Sequence, residues 1–258
     1  MKTLIYFITY PFRFVGTALC FGLFGLGGLL FRFPIAPILN LDADTVRRHR
    51  RARLLVQRWF AVFVGIMRGL CLIRIEVIHP ERLNRPGLLV TANHPSLIDV
   101  VCLMSLIPYG TTIVKDALTR NPFTAAPIRA SGYISNAAGI EALEKVSGDL
   151  DLGASMVIFP EGTRTPVDLP EGEYPRMHRG VAALAFETNR PLTPVRITAS
   201  PRWLTKDRGW WHLPPRAMTL TFEILKDIPV EPLADLYNHR PAMACRKLTA
   251  ALQKVLFH

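Results

Sequence analysis

His94 and Asp99 stand five residues apart in the stretch Thr91-Ala92-Asn93-His94-Pro95-Ser96-Leu97-Ile98-Asp99. An imidazole with a carboxylate in reach can act as a general base with its orienting partner. The carboxylate fixes the ring tautomer, and the other ring nitrogen takes a proton from a hydroxyl. Neither a Gly-x-Ser-x-Gly elbow nor a poised cysteine accompanies the pair, so the chemistry it suits is activation of a substrate's own hydroxyl. The spacing is not that of a zinc motif, and no metal is expected. A plainer reading stands beside this one. Ser96-x-x-Asp99 ahead of an apolar run is a capping box, in which Asp99 only starts a helix, and a histidine at a turn can be polar surface.

A second group of reactive types lies in Phe159-Pro160-Glu161-Gly162-Thr163-Arg164, directly after the apolar run Met156-Val157-Ile158. Gly162 permits close backbone approach. Arg164, beside loop amides and Thr163, has the forked donors that grip a phosphate. The bland alternative is a surface pair of Glu161 with Arg164, which contributes little.

Both groups need buried strands to bring them together. The run 88–92 is continuously apolar, as a strand covered on both faces should be, and it ends at Asn93-His94. Strands are expected at 73–77, where Ile73, Ile75 and Val77 alternate with charge, and at 88–92, 111–114, 133–134, 154–159, 192–198 and 218–225. Helices are expected at 98–107, 140–150, 180–188 and from Pro241 to about Leu256. Strands alternating with helices imply an α/β sheet with crossover connections. Two charged motifs ending two buried strands should converge on one sheet edge, where such sheets present ligand sites. Pro and Gly cluster in two long loops, 160–175 and 201–215, and long loops in a compact domain are often functional.

The 258 residues suffice for one α/β domain and an appendage, and the net charge is +11 with half the residues hydrophobic. Aromatics do not interleave with Lys and Arg as a nucleic-acid surface would require, so nucleic acid is not expected as a partner. Basic clusters beside apolar stretches point to a membrane. Residues 14–31 carry no charge between Arg13 and Arg32. A spanning helix needs about 20 apolar residues, so this segment spans or lies half-inserted, the alternative being a buried hydrophobic helix. One long helix is expected over 42–70, capped by Asp42 or Asp44. Its first half holds Arg47, Arg48, Arg50, Arg51 and Arg53, which would meet anionic headgroups, and Trp59, Phe60 and Phe63 would enter the interface, the alternative being a solvated charge run followed by a core-facing helix. Basic residues after the apolar segment put the rest of the chain on the cytoplasmic side if that segment spans. The expected division is a membrane-associated helical segment at 1–70 and an α/β domain at 71–258. Cys20, Cys71, Cys102 and Cys245 show no paired spacing and read as reduced core or lipid-facing thiols.

The order Asn93-His94-x-x-x-x-Asp99, then Phe159-Pro160-Glu161-Gly162-Thr163-Arg164, resembles the glycerolipid acyltransferase family. The likeness runs over roughly residues 69–198. Lys115-Asp116-x-Leu118, Arg179-Gly180 and Leu192-Thr193-Pro194-Val195 are similar to three further family segments. The resemblance implies a mixed sheet covered by helices, as in glycerol-3-phosphate acyltransferases, behind a membrane-associated two-helix segment. It implies acyl transfer from acyl-CoA or acyl carrier protein, as co-substrate and without a cofactor, to a lysophospholipid hydroxyl in phospholipid synthesis. The protein would sit on membrane lipids at the cytoplasmic face, in a bacterium that of the inner membrane. His94 would be the base and Asp99 its orienter. Glu161, Gly162, Thr163 and Arg164 would bind the acceptor, with Lys115 and Arg164 on its phosphate. The amides after Pro95 are candidates for the oxyanion, which needs hydrogen-bond donors. One position departs from the family: Asn136 stands where it usually has a phosphate-binding arginine. Lys115, Arg129 and Arg164 are the cations that remain. An amino-acid lipid or another non-phospholipid acceptor is open on this count, as is a silent lipid-binding protein of the same fold.

Overall fold

The computed structural model describes residues 2–137, 141–170 and 172–258. Strands β1 (Ile73–Ile78), β2 (Leu89–Ala92), β3 (Gly110–Val114), β4 (Ile134–Ser135), β5 (Ser155–Ile158), β6 (Leu192–Ser200) and β7 (Met218–Ile224) form one sheet. Its order is β1-β7-β6-β2-β5-β3-β4. β6 and β7 run antiparallel and the other neighbours parallel, so the sheet is mixed. β2 lies between β5 and β6 near the middle, and all four of its residues are buried. Alternation within it divides the core. Leu89 joins Met156 and Leu192 on one face, and Val90 and Ala92 join Val157 and Val195 on the other.

Helices cover both faces. α8 (Gly180–Glu187) and α10 (Pro241–Phe257) bury Val181, Leu184, Leu248 and Leu252 on the Leu89 face. α3 (Thr45–Gly69) and α4 (Asp99–Leu106) bury Phe63, Met67, Leu103 and Met104 on the Val90 face. The expected strands and helices are all present, with ends shifted by three residues at most. The helix expected over 140–150 is observed as Glu141–Asp151, and Ile140 lies outside the described residues. Short helices at Asp116–Arg120, Ala125–Ala130 and Ala234–His239 were not expected. One or two turns give too few residues for a 3.6 period to stand out.

The N-terminal part differs most from expectation. α1 (Lys2–Leu30) runs through a π-helical turn, Phe31–Ile35, into α2 (Ala36–Leu39). The window Thr9–Leu39 is long and apolar enough to cross a membrane by length and composition. Pro34 lies in the π-helical turn, where its missing N–H favours a departure from regular α pairing. Arg13 does not end the helix: it is buried, and its Nη1 and Nη2 donate to Pro214 O at 2.7 Å and Arg216 O at 3.0 Å. One face of α1 lies on the sheet domain. Gly27 meets the Trp59 ring so closely that an added Cβ would stand 2.3 Å from it, and at Gly28 a Cβ would stand 1.8 Å from Phe123 O. The other face leaves Phe12, Val15, Leu19, Leu26 and Leu30 exposed at helical spacing.

Asp44 caps α3, its side chain accepting from the Val46 and Arg47 amides. Two expectations for this helix are corrected. Phe63 is core, packed edge-on against Phe24 of α1 with ring centroids 5.4 Å apart. Arg53 does not face headgroups. It is 1% exposed, with Nη2 on Asp149 Oδ2 at 2.6 Å and Nε donating to Ser131 O at 2.8 Å. The reason is packing: Phe63 lies on the stripe of α3 turned towards the sheet and α1, while Arg53 reaches Ser131 and Asp149. Removing one partner of such a buried pair strands the other charge, which costs about 3–5 kcal/mol. Arg53→Ala should therefore lower unfolding stability by about that amount. The double change Arg53→Met with Asp149→Leu should recover most of it in denaturant titrations.

Candidate active site

β2 and β5 are parallel neighbours in register Leu89↔Met156, Val90↔Val157 and Thr91↔Ile158. The segments leaving them therefore emerge side by side at one sheet edge. His94 and the loop 159–165 are then tied through backbone. The His94 amide donates to Glu161 Oε1 at 2.9 Å and to Thr165 Oγ1 at 3.1 Å, while the Thr165 amide donates to His94 O at 2.7 Å. Thr165 Oγ1 in turn donates to Glu161 Oε1 at 2.7 Å. On the other side, Asn93 locks the turn to β6: its Nδ2 donates to Ile197 O at 2.8 Å and its Oδ1 accepts from Ile197 N at 2.7 Å.

The side chains of His94 and Asp99 meet. Nδ1 of His94 is 3.0 Å from Asp99 Oδ2, and that same oxygen accepts the Ser96 amide at 2.6 Å. The carboxylate both holds the imidazole and reaches back to the Ser96 amide, which is half of a capping box; the reciprocal bond to Ser96 Oγ is not made, the Asp99 amide donating instead to Ser96 O at 3.5 Å. Asp99 is fully buried, and its side chain has no exposure. Burial pushes its carboxyl above the usual carboxylate range, against the lowering pull of His94, the Ser96 amide and the charge of Arg164. The His94 ring rests against Phe159 with centroids 4.5 Å apart. Its Nε2 has no hydrogen bond among the described residues.

The remaining candidates spread along the same edge. Glu161 is buried, and burial raises its carboxyl too, with Thr165 and the His94 amide opposing. Its Oε1 accepts from the His94 amide and from Thr165 and so braces the His94 turn, while its buried Oε2 has no partner among the described residues. Gly162 takes φ +65°, and an added Cβ would stand 3.0 Å from the His178 ring, so the loop needs glycine there for two reasons. Thr163 is half-buried beside it. Arg164 Nη1 donates to Leu204 O at 2.8 Å and Thr205 O at 2.7 Å, leaving Nε and Nη2 without a protein partner among the described residues. Lys115 follows β3, is exposed, and makes no side-chain hydrogen bond or ion pair among the described residues. Asn136 lies one strand further along, and its Oδ1 accepts the Asp116 amide at 3.0 Å at the start of α5 (Asp116–Arg120). The amides after Pro95 are not free for an oxyanion. Ser96 N serves Asp99, and Leu97 N donates to Leu204 O at 3.0 Å. Sequence reasoning missed Asn93 and Thr165 as braces. A buried Asn closing an apolar strand was a usable signal for the first, whereas nothing marked the second.

An apolar cavity of about 160 Å³ lies against α4 from the residue after Asp99 onward, walled by Val100, Val101 and Met104 of α4, Val114 of β3, Trp59 of α3, Gly28 of α1 and Phe31 of the π-helical turn.

An α/β sheet that presents a carboxylate-held imidazole at a strand edge, next to an apolar cavity, has the parts of a transferase working on an apolar substrate. A family model described as Acyltransferase matches residues 74–198. A *Pseudomonas aeruginosa* protein named 1-acyl-sn-glycerol-3-phosphate acyltransferase is 30% identical over 70% of this chain and 68% of its own length. A *Saccharomyces cerevisiae* protein of the same name is 26% identical over 71% of this chain and 62% of its own. The crystal structure of the 1-acyl-sn-glycerophosphate acyltransferase PlsC from *Thermotoga maritima* shares the fold, with TM-score 0.66 and 19% identity over 96% of each chain. The chain belongs to the glycerolipid acyltransferase family, and it is an acyltransferase.

The raised carboxyls fix a sign. A group whose folded pKa lies above its unfolded value contributes its stability fully below the unfolded value, and loses it as pH rises through the folded one. Ionised Asp99 and Glu161 therefore weaken the fold at neutral pH. The melting temperature of Asp99→Asn minus that of wild type should be more positive at pH 7 than at about pH 4. A difference that does not move with pH would contradict the burial argument.

Proposed function

We propose that the enzyme moves a fatty acyl group from the thioester of acyl-CoA or acyl carrier protein to the hydroxyl of a lysophospholipid such as 1-acyl-glycerol-3-phosphate. The observation that carries this reading is the 3.0 Å contact of His94 Nδ1 with the buried Asp99 Oδ2. Asp99 holds Nδ1 protonated, so Nε2 is the basic nitrogen. Nε2 takes the proton of the acceptor hydroxyl as its oxygen attacks the thioester carbonyl. The tetrahedral intermediate collapses by breaking the carbon–sulfur bond, and the imidazolium returns its proton to the leaving thiolate. Asp99 stabilises the imidazolium between the two steps.

The acceptor's phosphate falls to Arg164 and Lys115, with the Gly162-Thr163 backbone alongside. Asn136 supplies no charge, so the phosphate rests on two cations on this edge. Glu161 and Thr165 act through His94 by fixing its backbone. The names of the Pseudomonas aeruginosa and Saccharomyces cerevisiae relatives support the lysophosphatidate acceptor. The apolar cavity takes an acyl chain, since Val100 and Val101, the two residues after Asp99, line it and α1 forms part of its wall. The exposed stripe of α1 lies in lipid, and the site works at the cytoplasmic face of that membrane.

In a thiol-release assay with acyl-CoA and lysophosphatidate, His94→Ala should lose about 10²–10⁴-fold in kcat, the usual share of a general base. Turnover that survives this change would remove the proposed base. Val101→Phe should shift the preferred donor towards shorter chains. A chain-length profile identical to wild type would put the acyl group elsewhere.

A further inference from the structure

The loop joining β6 to β7, residues 201–217, is not used by the chemistry above, yet it touches both the catalytic turn and α1. At one end its backbone holds the site. Leu204 O accepts from Leu97 N at 3.0 Å and from Arg164 Nη1 at 2.8 Å, and Thr205 O accepts from the same Nη1 at 2.7 Å. Arg202 Nη1 donates to Pro166 O at 2.7 Å. Leu204 sits at φ +56°, a conformation a leucine rarely takes, so its carbonyls are held where they are by the surroundings. At the other end the loop is bound to the apolar helix. Tyr10 Oη donates to Trp211 O at 3.0 Å, Arg13 donates to Pro214 O and Arg216 O, and Trp210 stacks on Phe14 with centroids 5.4 Å apart and contacts Phe21 at 5.5 Å.

The outer side of this loop has the composition of a membrane interface. Trp211 is 51% exposed although it adjoins the apolar helix. Arg202, Lys206, Arg208 and Arg216 are exposed around it, against one acidic residue, Asp207. Tyr10, Arg208, Trp211 and His212 all line one cleft of about 530 Å³. Tryptophan and tyrosine rings favour headgroup depth, and basic residues there meet anionic lipid. Phe14 and Phe21, each 36% exposed, carry apolar surface from the loop onto the adjoining flank of α1.

We propose that the β6–β7 loop is a second membrane-contacting element, seating Trp211, Lys206 and Arg208 in the headgroup layer of an anionic bilayer. Through the Leu204 and Thr205 carbonyls it holds Arg164 and the His94 turn in register with that surface. The proposal rests on the membrane reading of α1 given above. Its consequence is that catalysis on bilayer-borne acceptor depends on the loop's outer side chains, whereas catalysis on a dispersed acceptor does not.

The test uses the full chain in nanodiscs of phosphatidylcholine with phosphatidylglycerol, carrying nitroxide lipids labelled near the headgroup. Tryptophan quenching is compared between wild type and Trp211→Phe, and between wild type and Phe33→Trp, which reports on the exposed face of the N-terminal helix. Both reporters quenched is the expected result. Phe33→Trp quenched with Trp211 unquenched overturns the loop proposal and leaves the membrane reading standing. Neither quenched removes both. In kinetics, Trp211→Ala combined with Arg208→Ala should raise the KM for vesicle-borne lysophosphatidate about fivefold or more. The same pair should leave kcat/KM for a short-chain, monomeric lysophosphatidate unchanged. Equal losses on both acceptors would show a merely structural loop and sink the coupling.

Discussion

The carboxylate of Asp99 is buried at the first turn of α4, and a single oxygen, Oδ2, receives both the His94 ring and the Ser96 amide. That one atom sets the direction of the imidazole, the shape of the turn from 94 to 98 and the start of the helix. Its environment is costly for a charge, as the upward push on its carboxyl shows. Its other oxygen has no partner among the described residues. The arrangement persists because the turn has no freedom to relax. Asn93 is clamped to β6 by two hydrogen bonds, and His94 is clamped to the β5 loop by three. A carboxylate dehydrated in this way is a strong partner for an imidazolium, the species that forms when the ring accepts a proton.

The clamps work because of strand order. β2 has β6 on one side and β5 on the other, so a turn leaving its end can be gripped from both. A base on an edge strand would have had one such neighbour. The sheet also explains the line of candidates along its edge. Moving from β2 through β5 and β3 to β4, one meets His94, the Glu161–Arg164 loop, Lys115 and Asn136 in that order, at about 4.8 Å per strand. Along this line the cations are Arg164, one strand from the base, and Lys115, two strands from it. Asn136 is furthest, and its side chain is spent on the α5 amide. A position remote from the base and used to brace a helix can lose its charge while the nearer two retain theirs.

The fold was legible because its signals are local. The continuous run 88–92 announced a strand covered on both faces, and the alternation at Ile73, Ile75 and Val77 a half-covered one at the sheet's edge. The meeting of His94 with the 159–165 loop could be anticipated too, since both follow buried strands. Side-chain direction in loops could not be anticipated. Glu161 and Arg164 read alike as substrate-facing charges, but Glu161 turns inward to His94 N, and only Arg164 keeps donors to spare. The arginines of α3 misled for a related reason. Five in one stretch look uniform in sequence, yet position on the helix decides their fate, so Arg53 is buried on Asp149 while Arg47 and Arg51 pair with Asp42 at the surface. A charge run shows that a surface is basic without showing which of its members the core has claimed.

The N-terminal helix is tied to the same logic through its glycines. Gly27 and Gly28 bring α1 against Trp59 and the Phe123 backbone more closely than any side chain would allow. That contact makes the helix a wall of the apolar cavity as well as an apolar surface facing outward. One helix therefore presents apolar side chains to its exterior and lines the cavity with its interior, with no polar layer between. On the proposed reading, an acyl chain passing from lipid to the cavity exchanges one apolar surrounding for another, so little hydrophobic driving force opposes its entry or its release. What then orders the reaction is the polar end of each substrate, which only the edge holding His94, Arg164 and Lys115 can recognise. Binding energy drawn from the charged headgroup is available to orient the hydroxyl at Nε2, whereas energy from the chain is nearly cancelled by leaving the membrane.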